Sequence, residues 1–108
     1  MVNTRAKGNR NRRKTITALE KDGYKVAVVE RTGRFIKEKD MFGLFDLLAI
    51  NEYGQIKFVQ VSTNKPHTHK PFKEFRNKYG KTYNVFIPSH HIEQWCWLDG
   101  NKLKKWNY

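Results

Sequence analysis

Two acids, an amide and a hydroxyl occupy the part of this chain best suited to chemistry. Residues 39–50 read Lys-Asp-Met-Phe-Gly-Leu-Phe-Asp-Leu-Leu-Ala-Ile, and residues 58–63 read Phe-Val-Gln-Val-Ser-Thr. Asp46 lies inside an apolar run, where an unpaired carboxylate is costly to desolvate, so a compensating partner is expected. It could instead point to solvent and cap a loop, but Phe45, Leu47, Leu48 and Ile50 favour a strand covered on both faces. Asp40 can reach the same strand end through the turn that Gly43 permits. Two converging carboxylates repel unless a cation sits between them. Mg²⁺, or Mn²⁺, held by Asp40 and Asp46 with waters and phosphate oxygens would relieve that repulsion. Gln60 and Ser62 share one face of their strand because side chains alternate with period two. A short turn would bring Gln60 near Asp46.

The elements that must position these groups are legible in outline. Residues 1–8 are polar, basic and aperiodic, and read as a flexible arm ahead of a single domain over 9–108. Asn9 to Asp22 reads as a helix, with Ile16 and Leu19 three apart and Gly23 where a left-handed residue would end it. Tyr24 to Glu30 is a β-branched strand, and Arg31 to Met41 a loop or single helical turn. Phe45–Ile50 and Gln55–Ser62 form a hairpin around Asn51 to Gly54. Asn64 to Pro71 is a loop. Pro71 then opens a helix to Tyr79, with Phe72, Phe75 and Tyr79 on one face and Gly80 as its stop. Thr82 to Ile87 reads as a strand, Pro88 to His91 as a turn, and Trp95–Leu98 with Lys102–Trp106 as a terminal hairpin about Asp99-Gly100. The expectation is an α/β fold of order αβββαβ, a mixed sheet flanked by helices, with a C-terminal β-hairpin.

Composition narrows the partner class. The chain has 108 residues and 22 Lys plus Arg against 10 Asp plus Glu, a formal charge of +12 that attracts polyanions. Residues 1–14 hold Arg5, Lys7, Arg10, Arg12, Arg13 and Lys14 without an acid, and Lys65, Lys70, Lys73, Arg76, Lys78 and Lys81 form a second cluster. Two dense clusters fit phosphate binding better than solvated faces do. The expected nucleic-acid contacts are Arg10, Arg12, Arg13, Lys14, Lys65, Lys70 and Lys73. DNA is the expected partner, with RNA left open. No apolar run approaches the roughly 20 residues of a membrane span, and no secretory signal is evident, so the expected compartment is the cytoplasm. Cys96 stands alone and reads as a buried thiol beside Trp95 and Trp97. His67, His69, His90 and His91 lack a cysteine or acid at ligand spacing, and line a phosphate groove more readily than they build a zinc site. Trp95, Trp97 and Trp106 suit core packing or a dimer face better than base stacking.

These residues resemble the PD-(D/E)XK phosphodiesterase superfamily, the restriction endonuclease-like fold that includes archaeal Holliday junction resolvases. The Asp-Met-Phe-Gly-x-Phe-Asp stretch with Val-Gln-Val-Ser-Thr is similar to small phage and viral nuclease-like proteins. The resemblance covers roughly residues 7–87. It implies an αβββαβ core, Asp46 at the first acid, Gln60 at the second acid and Ser62 at the usual lysine. Lys7-Gly8-Asn9-Arg10 is similar to the start of the resolvases' first helix, whose glutamate falls near Arg12 and is absent here. Because Ser62 replaces the lysine, the ammonium would come from Lys65 or from Lys70. The implied activity is metal-dependent endonucleolytic hydrolysis of DNA, branched or structured DNA included. Asp40, Asp46, Gln60 and Lys65 would carry it, by in-line attack of water on a backbone phosphate. The resolvases are dimers, which makes a homodimer an expectation here too. The rival readings are a catalytically degenerate nucleic-acid-binding protein on the same fold and a module that binds an acidic protein. Salt separates the nucleic-acid readings from a neutral interaction: neutralising about six phosphates gives a log–log slope of affinity on salt near −5, and a flat isotherm removes both.

Overall fold

The computed structural model of the chain describes residues 4–29, 40–79 and 90–108. Its elements run α1 (Thr4–Lys21), β1 (Tyr24–Val28), β2 (Leu47–Asn51), β3 (Ile56–Thr63), α2 (Lys70–Tyr79), β4 (His90–Leu98) and β5 (Lys102–Asn107). The five strands form one sheet in chain order. β1, β2 and β3 make an antiparallel meander, β4 runs parallel to β3, and β5 returns antiparallel to β4. The fold is thus α/β, a mixed sheet with two helices and a C-terminal hairpin. No helix among the described residues is long and apolar enough to cross a membrane.

Local chemistry accounts for most boundaries. Gly23 stops α1 at φ +89°, with its N–H donating to Glu20 O at 3.0 Å. Asn51 folds the β2–β3 turn: its Oδ1 accepts from the N–H groups of Tyr53 and Gln55, each at 3.0 Å, while Gly54 takes φ +78°.

Three expectations need correction. The first helix begins at Thr4 rather than Asn9, so residues 4–8 of the expected arm are helical. Nothing in that basic segment breaks a helix, and Lys7 is held by an ion pair to Asp99 at 2.6 Å. His90 and His91 belong to β4 rather than to a turn. The strand parallel to β3 is accordingly the same nine-residue strand that opens the terminal hairpin. Pairing with β3 from His90 onward, joined on the other flank by β5 from Glu93, sustains one strand where the local sequence suggests a turn and then a strand. The strand expected at Thr82–Ile87, the Gly80 stop and most of the 31–41 loop lie outside the described residues.

The two sheet faces divide the core. Leu19 of α1, Leu47, Ala49, Val59 and Trp95 form one buried cluster, joined at its edge by Val61 and Trp97. Phe45, Phe72 of α2 and Ile92 form the other, with Phe58, Phe75 and Tyr108 against it. Strand alternation therefore turns Val59 and Val61 towards α1, and Phe58, Gln60 and Ser62 towards the α2 side. Buried polar contacts fix α1 in register: Asn11 Nδ2 donates to Thr63 Oγ1 at 2.8 Å and Trp97 Nε1 to Thr15 Oγ1 at 2.8 Å. Leu19 is fully buried at the centre of the α1 cluster. Leu19→Ala is expected to cost about 2–5 kcal/mol, read as a lowered urea midpoint; a change under about 1 kcal/mol would mean α1 does not close this core.

Candidate nucleic-acid and metal cleft

The sheet delivers Asp46 and Gln60 to each other. Leu47 pairs with Val59, so the next step of that register sets Asp46 opposite Gln60. Asp46 is woven into both neighbouring strands, donating its N–H to Val59 O at 3.0 Å and accepting from Val29 N at 2.8 Å. One residue earlier the backbone turns away: Phe45 O accepts from Met41 N at 2.8 Å and Phe45 N donates to Met41 O at 3.0 Å. That leaves the next donor on β3, Val61 N–H, and Asp46 Oδ2 accepts it at 2.9 Å. The carboxylate, only 8% exposed, thus continues the ladder where the main chain cannot.

Asp40 arrives through a tight turn. Gly43 N donates to Asp40 O at 2.9 Å and Leu44 N to Met41 O at 3.1 Å, which requires positive φ at Phe42 (+57°) and Gly43 (+69°). Glycine adopts this freely, whereas an aromatic side chain there costs about 1–3 kcal/mol.

Gln60 is 4% exposed. Its Nε2 lies 3.4 Å from Val61 O and 3.0 Å from His67 Nε2. Val61 O can only accept, which suits the amide nitrogen on that side. Gln60 Oε1 then faces away from both, buried and without a hydrogen-bond partner. An orphaned buried acceptor calls for a donor or a cation.

Asp40, Asp46, Gln60, Ser62, Thr63, Lys65 and His67 line one cavity of about 530 Å³, closed on the helix side by Gly8, Asn9 and Arg12. Four residues singled out for chemistry, Asp40, Asp46, Gln60 and Lys65, therefore meet in one cleft. Arg12, which stands near the position the resemblance gives to a glutamate, brings a cation there instead. Ser62 is buried and its hydroxyl lies 3.5 Å from Gln94 Oε1, so it faces the protein interior.

The other expected nucleic-acid contacts divide. Arg10, Arg13 and Lys14 line a separate groove along α1 with Lys21, away from the acids. The helical turn explains the split: at about 100° per residue, Arg10 and Arg13 lie well round the helix from Arg12. Lys14 covers the Trp97 ring at 5.1 Å. Lys70 and Lys73 are exposed on α2 outside the cleft lining, and Lys70 pairs with Glu74 at 3.9 Å. Of the two lysines considered for the missing ammonium, Lys65 borders the acids and Lys70 does not. The histidines disperse: His67 lines the cleft, His69 Nδ1 meets the Tyr108 hydroxyl, and His90 lies edge-on to Phe58 at 5.6 Å. Cys96 is buried.

Sequence reasoning missed Gln94. It is fully buried and uses its whole amide: Oε1 accepts from His67 N at 2.6 Å and Ser62 Oγ, and Nε2 donates to His67 O at 3.3 Å and Tyr108 OH at 2.9 Å. The side chain grips both backbone groups of His67 as a neighbouring strand would, and His67 in turn orients Gln60. The available signal was an amide next to the apolar Trp95-Cys96-Trp97 stretch, comparable to the acid in the apolar run at Asp46. On the far rim, Asp99 accepts from Asn64 Nδ2 at 3.4 Å, and its Lys7 and Asn64 partners hold its carboxyl below the usual range.

The chain matches no protein-family model, no curated protein sequence and no solved structure.

Gln94→Leu keeps the volume and removes the grip. A stability loss of about 1–3 kcal/mol is expected, with faster amide hydrogen exchange at His67 while the β3–β4 amides stay protected. Unchanged exchange at His67 would mean that other contacts hold the loop.

Proposed function

We propose that this chain is a Mg²⁺- or Mn²⁺-dependent endonuclease that hydrolyses phosphodiester bonds in DNA. The observation that carries the reading is the buried, unpartnered Gln60 Oε1 in the same cleft as the carboxylates of Asp40 and Asp46. These are hard oxygen donors, the set that Mg²⁺ and Mn²⁺ prefer. Among the described residues, two carboxylates and an amide would form the protein's share of the shell. With Arg12 and Lys65 beside them, the formal charges of the described cleft residues balance. A divalent ion is therefore held firmly only once phosphate oxygens join the shell, the usual habit of Mg²⁺. The element order α-β-β-β-α-β supports the resemblance that suggested this chemistry.

The roles follow from atom types. Asp40, Asp46 and Gln60 Oε1 would hold the ion. When bound, the ion would offset the negative charge that develops on the non-bridging oxygens of the reacting phosphate. Lys65 at the cleft edge offers an ammonium to the same phosphate, and Arg12 a guanidinium to a phosphate beside it. Gln94 holds the backbone of His67, whose ring meets the Gln60 amide nitrogen, so it is a positioning residue for the Gln60 Oε1 that would ligate the ion.

One observation favours a second reading, binding without hydrolysis: Ser62 stands where the related nucleases have lysine, and its hydroxyl faces Gln94. The two readings separate on supercoiled, branched and single-stranded DNA, with RNA in parallel, in Mg²⁺ or Mn²⁺. Asp46→Asn is the informative variant, since an asparagine oxygen can still accept from Val61 N–H while the charge is lost. Wild-type protein should cleave and the variant should be roughly 100-fold slower or worse, the scale of losing one electrostatic stabiliser. Salt-sensitive binding without cleavage by the wild type would establish the binding-only reading. Cleavage that survives the substitution would trace to a contaminant.

A further inference from the structure

A second cavity, an aromatic groove of about 610 Å³, is lined among the described residues by Phe42, Ile56, Phe58, Phe75, Tyr79 and His90. Phe42 and Tyr79 are each 59% exposed. Phe42 rests 5.6 Å from Phe75, and Phe75 lies 5.0 Å from Tyr79, so the rings form a continuous surface.

We infer that this groove takes an unpaired nucleobase of the strand whose phosphate enters the Asp40–Asp46 cleft, so that the substrate is nucleic acid with single-stranded character. The inference rests on the nucleic-acid reading above and adds the form of the substrate. Three observations bear on it. The turn that carries Asp40 into the cleft also carries Phe42 into the groove two residues later, a span of at most about 7 Å of chain. The backbone there is left-handed at a non-glycine residue, with the ring turned outward rather than into the core. Strain of this kind gathers where a side chain must be presented. The surroundings are cationic: Lys78 Nζ lies 5.4 Å from the Tyr79 ring centroid, and the chain carries +12 overall. An apolar slot with a lysine at its rim, on a chain this basic, matches a base on its phosphate backbone better than it matches an apolar protein face. The Tyr79 hydroxyl and the His90 imidazole supply polar atoms for a base edge. Burial, then Arg76 and His91, lower the His90 pKa from its ordinary value. A volume of about 610 Å³ falls within the range of about 300–1,000 Å³ usual for small-ligand sites.

The test uses a single-stranded oligonucleotide containing 2-aminopurine, and a duplex of the same length, in EDTA so that neither is cut. Wild-type protein should quench the 2-aminopurine on binding. Phe42→Gly removes the ring at a position whose backbone glycine prefers, so the fold should persist, checked by circular dichroism. This variant should lose quenching and roughly 5- to 100-fold in single-strand affinity, the size of one base–aromatic stack. Its duplex affinity and its salt slope should stay unchanged, since no phosphate contact is removed. Phe42→Trp should restore both quenching and affinity. Unchanged single-strand binding by Phe42→Gly overturns the inference. So does a wild-type dimer in sedimentation that Phe42→Gly dissociates without loss of single-strand affinity, which would assign the groove to a second copy of the chain. A wild type that cuts and binds duplex yet never quenches sinks this inference alone; one that binds no nucleic acid sinks the nuclease reading with it.

Discussion

The Asp46 carboxylate serves as a rung of the sheet, and the geometry of the cleft depends on that. Its main chain is bonded to β1 on one side and β3 on the other, while its side chain accepts Val61 N–H where the backbone of residue 45 has turned back towards Met41. A carboxylate in this position is anchored by the same hydrogen bonding that orders the strands. It cannot be withdrawn to solvent without leaving a β3 donor unpaired inside the protein. Desolvation of the acid is offset by that bond and, on the reading proposed, by a cation. The acid that the proposed chemistry would use and the acceptor that sheet continuity uses are one group.

Support for the opposite wall comes from further away in sequence. Gln94 on β4 holds the backbone of His67, His67 orients the Gln60 amide, and Tyr108 at the end of β5 completes Gln94's bonds. The Tyr108 ring stacks on Phe72 at 5.0 Å, and its carbonyl accepts from Arg76 Nε at 2.7 Å, which joins this chain of bonds to α2. A buried network of this kind holds only when every member is satisfied. Gln94 meets that condition fully, and Gln60 Oε1 is the one buried side-chain atom among the described residues that does not. The exception falls where a ligand would enter.

Charge is arranged less simply than its total suggests. A value of +12 gives the molecule a long-range attraction for polyanions, but only Arg12 and Lys65 of the seven expected contacts border the acids. Arg10 and Arg13 lie round the helix from them, and Lys14 is drawn over Trp97. On the reading proposed, the cations away from the cleft would raise the encounter rate and hold flanking phosphates, roles that need proximity to the surface rather than to the reacting bond.

The sequence by itself determined the order of elements, the β2–β3 hairpin and the pairing of Asp46 with Gln60. Those follow from local rules: Gly23 and Asn51 to Gly54 act through backbone freedom and short-range hydrogen bonds, and period-two alternation carries Gln60 to the face it occupies. Tertiary structure decided what local pattern cannot encode. The extent of β4 was hidden because its first residues, His90 and His91, gain strand character only from pairing with β3 on one flank and from continuity with a strand paired to β5 on the other. Arg12's entry into the cleft depends on the rotation of α1 about its axis, which is set by Asn11, Thr15 and Leu19 packing on the sheet. Gln94's role depends on a loop 27 positions earlier folding beneath it. In each case the deciding contact joins residues far apart in the chain, and only the packed fold brings them within hydrogen-bonding or van der Waals range.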